Sequence, residues 1–150
     1  MWSIIIFWRR IYKRKRNGNG KEYYYNGKLE FEGEYLNGKR NGKGKEYYKN
    51  GELKFEGEYL NGERSGKGKG KEYYYNGNLK FEGEYLNGKK WNGKGYNKNG
   101  NTEFEIKHGK GNIKEYDIYG TLIFVGVYLN GERSGKGKEY YYNGNLKFEG

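Results

Sequence analysis

The chain has 150 residues, with 28 Gly, 19 Tyr, no Pro, no Cys and a formal net charge of +11. Without cysteine there is no disulfide framework, no thiolate nucleophile and no Cys-based zinc site. Abundant glycine without a single alanine argues against helices, abundant Tyr and Phe argue for strands, and 19% aromatic content is too high for a disordered chain.

Residues 1–16, MWSIIIFWRRIYKRKR, form an apolar and basic N-terminal segment. Trp2, Ile4, Ile5, Phe7 and Trp8 precede Arg9, Arg10, Lys13, Arg14, Lys15 and Arg16, which supply +6 of the +11 with no acid among them. The apolar run is too short to cross a bilayer, which needs about 20 residues. The cations follow it rather than precede it, unlike a signal peptide. Two readings stand side by side. These residues suit an anionic membrane surface, where polybasic attraction is worth roughly 1 kcal/mol per cation. Alternatively, aligning Asn17-Gly18 with Asn41-Gly42 sets Phe7 on Phe31, making residues 7–16 a decayed repeat strand with its loop. The basic run would also serve nuclear import or contact with a phosphate backbone.

Residues 17–150 are repetitive. The Phe of each unit falls at Phe31, Phe55, Phe81, Phe124 and Phe148, before EG in all but Phe124, which precedes VG, with Phe104 in a degenerate copy, giving intervals of 24, 26, 23, 20 and 24. Such a unit holds one β-hairpin and its connection. Asn-Gly between aromatic-rich runs is a strong hairpin signal, since both residues tolerate positive φ. Asn37-Gly38, Asn61-Gly62, Asn87-Gly88 and Asn130-Gly131 mark one end of the units; Asn26-Gly27, Asn50-Gly51, Asn76-Gly77 and Asn143-Gly144 mark the other.

Within the first strand, Leu53, Phe55, Gly57 and Tyr59 alternate with Lys54, Glu56 and Glu58. Rings lying over the glycines on one face would explain Gly in a strand. The other face would then set Glu56 and Glu58 near Lys67 and Lys69. Length changes between second strands are even, which preserves the facing of every side chain. The one odd insertion, near Trp91, is expected in a loop.

These residues resemble the MORN repeat, whose pattern is aromatic, x, Gly, x, aromatic, a Gly-rich turn, then Gly-x-Gly. Phe31, Gly33, Tyr35, Gly38, Gly42 and Gly44 fill it first. Phe55, Gly57, Tyr59, Gly62, Gly66 and Gly68 follow, then Phe81, Gly83, Tyr85, Gly88, Gly93 and Gly95. Phe124, Gly126, Tyr128, Gly131, Gly135 and Gly137 complete the good copies. The phrasing KEYYYNGNLKFEGEYLNG is similar to variant MORN repeats of bacterial and protist proteins. The resemblance covers roughly 17–150 and implies an all-β, elongated, single-layer twisted antiparallel sheet of tandem hairpins. The stop at NLKFEG reads as an array interrupted at its C-terminus.

Candidate chemistry is sparse. No phosphate-loop pattern occurs, His108 has no second His or Cys, and the few Ser and Thr lack a base–orienter pair. No catalytic residue, cofactor, metal or small-molecule substrate is expected. In the EYYY clusters at least one ring must face outward, which makes Tyr24, Tyr74 and Tyr141 the candidate partner contacts. The expected function is a noncatalytic scaffold that binds other proteins, itself, or an anionic membrane surface, in the cytoplasm and peripheral to a membrane. Such arrays also occur beside kinase and methyltransferase domains, so an accessory segment of a larger enzyme is one alternative. Single-stranded nucleic-acid binding is another, and residues 17–150, at only +5, argue against it.

Overall fold

The computed structural model describes residues 4–7 and 16–150, with residues 4–7 and Lys67 described through their backbone only. The described residues form thirteen strands and no helix: β1 Ile4–Phe7, β2 Gly18–Tyr23, β3 Leu29–Leu36, β4 Lys39–Tyr47, β5 Leu53–Leu60, β6 Glu63–Tyr73, β7 Leu79–Leu86, β8 Lys89–Tyr96, β9 Thr102–Ile106, β10 Gly111–Tyr116, β11 Leu122–Leu129, β12 Glu132–Tyr140 and β13 Leu146–Glu149. Each strand pairs antiparallel with its neighbour in sequence, giving a sheet of β1–β9 and a sheet of β10–β13. A bridge between Lys107 and Lys110 closes the hairpin that links them. A compact chain of 17.7 kDa would expose about 8,000 Å², whereas this one exposes 10051 Å², as an elongated single layer must.

The turns form where Asn-Gly predicts them. Asn37, Asn61, Asn87 and Asn130 have φ of 48–54°, each followed by a Gly at 75–93°, the geometry of a two-residue type I′ hairpin turn. In the degenerate unit His108 (φ 49°) and Gly109 (φ 72°) fill the same place. Successive turns are tied along one edge of the sheet. Gly38, Gly62, Gly88 and Gly109 donate their N–H to the carbonyls of Arg16, Arg40, Arg64 and Trp91 at 2.8–2.9 Å, and Gly131 donates to Gly109. Asn17, Asn41 and Asn92 add a side-chain oxygen that accepts the N–H of Asn37, Asn61 and His108.

A bulge interrupts each hairpin and absorbs the length changes. The β11–β12 register jumps from Gly126↔Gly137 to Val127↔Ser134, and the β5–β6 register jumps further, from Glu56↔Lys71 to Glu58↔Ser65. The two extra residues of β6 therefore lie in its bulge, and Phe55 faces Glu72 as Phe31 faces Glu46. Three expectations change as a result. Glu56 and Glu58 face Lys71 and Ser65 rather than Lys67 and Lys69. The glycine under Phe55 is Gly70, not one of the Gly66-Lys67-Gly68 pair, while the one under Phe81 is Gly93, the first of its Gly-x-Gly pair. Trp91 lies in the bulge of β8, not in a loop. A second bulge, where Tyr47 pairs with Leu53, turns Lys54 to the aromatic side, where its Nζ lies 3.5 Å from Glu46.

The core is a row of rings on one face. Phe31, Phe55 and Phe81 are completely buried, with Tyr35, Tyr59 and Tyr85 nearly so. Phe31 and Phe55 each pack edge-on against the Tyr of their own unit and that of the next: Phe31 meets Tyr35 at 5.7 Å and Tyr59 at 5.3 Å, and Phe55 meets Tyr59 at 5.6 Å and Tyr85 at 5.4 Å. The rings press directly on backbone; a Cβ added to Gly44 would come within 2.6 Å of Phe31. Past Phe81 the row continues through Phe104, Ile106 and Ile113 to Phe124 and half-buried Tyr128.

At the other end β1 pairs with β2, with Ile5 opposite Glu22 and Phe7 opposite Gly20. Because Phe31 faces Glu46 and Gly33 faces Gly44, β1 sits where a preceding unit's first strand would. Ile5, rather than Phe7, takes the place of Phe31.

Candidate functional site

A repeated chain presents faces rather than a convergent cleft, and the two faces of this sheet differ in chemistry. On the aromatic face the rings are roofed by cations. The guanidinium of Arg40 lies 4.0 Å from the Phe31 ring centre, Arg64 4.0 Å from Phe55 and Arg133 4.2 Å from Phe124, while the Lys90 ammonium is 4.8 Å from Phe81. Carboxylates between them complete a ladder. Arg40 meets Glu22 at 2.6 Å, Arg64 meets Glu46 at 3.2 Å and Glu72 at 2.6 Å, and Lys90 meets Glu72 at 2.9 Å. Arg133 joins Glu115 and Glu139 in the same way at 2.7 and 2.8 Å.

The tyrosines of the core end on these carboxylates. Tyr35 donates to Glu22, Tyr59 to Glu46 at 2.5 Å and Tyr128 to Glu115 at 2.5 Å. Burial, then the adjacent carboxylate, pushes the Tyr35 and Tyr128 hydroxyls well above their ordinary pKa; for Tyr59 the same two causes act. Tyr85 breaks the pattern: Glu72 is held by Arg64 and Lys90, one on each oxygen. Its hydroxyl is the buried side-chain oxygen among the described residues that has no hydrogen-bond partner. Burial works against the charge on Glu72, but Lys90 and Arg64 outweigh it and hold that carboxyl at about 2.

The opposite face carries a row of alternating charge. Lys21, Glu32, Lys45, Glu56, Lys71, Glu82, Lys94 and Glu105 stand in direct register across eight consecutive strands, β2 to β9. Each such pair contributes about 0.2–1 kcal/mol and helps fix register. Tyr47 and Tyr73 reach onto this face, donating to Glu32 at 2.7 Å and to Glu56 at 2.8 Å. Over the paired glycines Gly20, Gly33, Gly44 and Gly57 the row borders an open groove of about 740 Å³. Along the turn edge Leu36, Leu60, Leu86 and Leu129 are 42–54% exposed, an apolar stripe with one leucine per regular unit.

The structure places the expected site residues unevenly. Phe31, Gly33, Tyr35, Phe55, Gly57, Tyr59, Phe81, Gly83, Tyr85, Phe124, Gly126 and Tyr128 all belong to the ring-over-glycine core. Of the tyrosine contacts, Tyr74 is buried to 1% exposure, so its ring is not outward. The middle tyrosine of each cluster reaches the next unit instead: Tyr24, Tyr48 and Tyr74 donate to the carbonyls of Tyr47, Tyr73 and Tyr96, each at 2.7 Å. Tyr24 is half-buried by this contact; Tyr141 makes no such bond among the described residues and is 53% exposed. The more exposed rings are Tyr25 and Tyr142, the last of their clusters, and Tyr119.

Trp2, Trp8, Arg9, Arg10, Lys13, Arg14 and Lys15 lie outside the described residues, and Ile4, Ile5 and Phe7 enter only through the backbone of β1. Arg16 is tied to the array by its carbonyl. No helix among the described residues is long and apolar enough to cross a membrane.

Sequence reasoning missed the cation–carboxylate ladder, although a signal was present. Arg40, Arg64, Lys90 and Arg133 each stand nine residues after the Phe they cover. The chain matches the MORN repeat family over residues 31–52 and 124–146, and the MORN repeat variant over residues 16–37 and 67–87. No curated protein matches it.

Proposed function

Given that the chain belongs to the MORN-repeat family, we propose that it is a noncatalytic scaffold, cytoplasmic and peripheral to a membrane, whose Lys/Glu face holds another protein. The aromatic face is consumed by its own packing: rings, cations and carboxylates satisfy one another there. The alternating row with its groove and leucine stripe is left facing outward, and that observation carries the reading. A partner on such a face is held by many small contacts repeated from unit to unit. The N-terminal cations, Arg9 to Arg16, add attraction to an anionic lipid surface, at roughly 1 kcal/mol per cation near it.

Photo-crosslinking in an extract of the source cells tests the protein-binding part. A crosslinker replacing Lys45, in the charged row, should trap a discrete partner, while one replacing Lys54, on the aromatic side, should not. Equal trapping, or none from either position, sinks that reading. Liposome flotation tests the membrane part. The full chain should float with phosphatidylserine vesicles and not with neutral ones, and a variant with Arg9, Arg10, Lys13, Arg14, Lys15 and Arg16 changed to Gln should sediment. Flotation of that variant would remove the cations from the account.

A further inference from the structure

Strand β11 departs from its counterparts mainly on one face. Where β3 reads LEFEGEYL and both β5 and β7 read LKFEGEYL, β11 reads LIFVGVYL. Its Phe124, Gly126 and Tyr128 keep the aromatic pattern, but both glutamates of the other face have become valines. In register, Val125 lies between Lys114 of β10 and Lys138 of β12, and Val127 lies between Asn112 and Ser134. The row that alternates Lys and Glu from β2 to β9 thus keeps its cations here and loses the carboxylate between them.

The exchange leaves apolar surface in the open. Val127 is 44% exposed and extends the apolar surface of Leu129, at 43%, which the other regular units carry as Leu36, Leu60 and Leu86. Beside them an open hollow of about 430 Å³ is bordered by Lys110, Asn112, Val127, Leu129 and Ser134. Lys114 and Lys138 flank the strand at 46% and 48% exposure, each pairing with a single carboxylate on its far side, Glu103 at 2.7 Å and Glu149 at 3.0 Å. Glutamate serves the sheet at these positions in β3, β5 and β7, so packing does not call for valine. An exposed apolar patch rimmed by charge is the pattern of an interaction site.

We propose that the β11 face docks a segment of another protein in which apolar side chains are interspersed with acidic ones. This rests on the reading of the Lys/Glu face as the protein-binding surface. The apolar side chains fill the hollow beside Val127 and Leu129, and the carboxylates take the place of the missing glutamates between Lys114 and Lys138. A second copy of this chain is a poorer occupant, because a twofold pairing through β11 brings Lys114 and Lys138 against the same lysines. A flat anionic lipid surface would meet, along the rest of the row, as many glutamates as lysines and would gain little net attraction there.

The test uses the full chain and its Val125→Glu/Val127→Glu variant. That variant restores the FEGEYL stretch already carried by β5 and β7, with Ile123 left in place of their Lys, so it should fold, and its unfolding transition verifies this. A displayed library of random peptides is selected on the wild type, and the enriched peptides are then titrated by fluorescence anisotropy. The expected result is enrichment of acidic-apolar peptides that bind the variant at least about tenfold more weakly. Failure to enrich any peptide, enrichment of basic ones, or equal binding by the variant overturns the site. A wild-type dimer that sedimentation finds abolished in the variant would reassign the patch to self-association. Phosphatidylserine flotation lost in the variant would reassign it to lipid. Peptides that bind both proteins equally but are blocked by a crosslinker at Lys45 would sink the β11 site while leaving the wider reading of the face intact.

Discussion

Strands β5–β8 and strands β9–β10 build the same layer by different means. In the first region the Phe55 ring covers two glycines, the Tyr of its own unit and that of the next flank it, and a cation roofs it. In the second, Phe104 turns to stack on Phe81 at 6.3 Å, Gly95 comes to lie beneath it, and the aliphatic side chains of Ile106 and Ile113 fill the space beyond. The turn edge hardly changes between the two. His108-Gly109 stands in for Asn-Gly, and the hydrogen bonds from Gly109 to Trp91 and from Gly131 to Gly109 carry the edge through without a break. The comparison separates two kinds of constraint. The backbone ties at the turn recur in both regions with the same geometry, whereas the apolar row needs volume and accepts rings or branched chains.

If the ring row is the more demanding of the two packings, its loss should cost more. Phe55→Ala removes contacts with Tyr59, Tyr85 and Arg64 at once, and should destabilise the chain by about 3–5 kcal/mol. Ile113→Ala should cost about 2–3 kcal/mol. Urea unfolding of the two variants decides the matter, and equal losses would mean that the irregular unit is as tightly built as the regular ones.

The regions also differ in acid sensitivity. Glu72 is clamped by Arg64 and Lys90, whereas Glu115 has one close cation, Arg133, and the Tyr128 hydroxyl. A carboxyl held at about 2 in the fold, against an ordinary 4.5, stabilises the folded state above pH 4.5 and loses that contribution as the pH falls toward 2. The amount is on the order of 3 kcal/mol. Glu72→Gln should be less stable at pH 7 and should lose less stability than the wild type between pH 5 and pH 2. Parallel acid curves for the two proteins would show that Glu72 is not the sensitive group.

Glycine position sharpens the contrast within the regular region. A Cβ at Gly44 would meet Phe31 at 2.6 Å and Tyr59 at 3.0 Å, while one at Gly68 would meet only the flexible end of Glu58 at 3.4 Å. Gly44→Ala should cost about 1–3 kcal/mol by overpacking, and Gly68→Ala should stay within about 0.5 kcal/mol. Thermal unfolding distinguishes them; a large loss at Gly68 would return it to the ring position that the sequence pattern suggests.

That glycine marks the limit of what the sequence makes legible. The Asn-Gly turns could be read directly, because positive φ at two successive residues is a local demand that few residue types meet. The β architecture followed from even length changes, which hold facing constant wherever the extra residues lie. Where they lie is another matter: only pairing with Tyr85 and Gly83 reveals that the insertion in β6 swells a bulge and brings Gly70 under Phe55. Lys54 changes face for the same kind of reason, a bulge set by the neighbouring strand. Tyr74 misled because its burial depends on a carbonyl in the following unit, Tyr96, which no pattern within KEYYY encodes. The cation ladder was readable from its fixed nine-residue offset, but lysine and arginine in a repeat are readily taken for solvated surface.

The smallest effect probes the feature that the two regions share. Asn41 and Asn92 each lend a side-chain oxygen to the following turn, at 3.3 Å to Asn61 and 2.8 Å to His108, whereas the unit between them has Ser65 at the corresponding position. If the turn edge is what lets the irregular unit depart so far from the ring pattern, its cap should matter more there than in a regular unit that has rings to hold it. Asn92→Ala should therefore cost about 1 kcal/mol, near the usual value of one hydrogen bond, and Asn41→Ala about half of that, its bond being longer and its unit better packed. Hydrogen exchange at the N–H of Gly109 and Gly62 reads the local consequence, with the larger acceleration expected at Gly109. The reverse order would place the support of the irregular unit in Ile106 and Ile113 rather than in its turn.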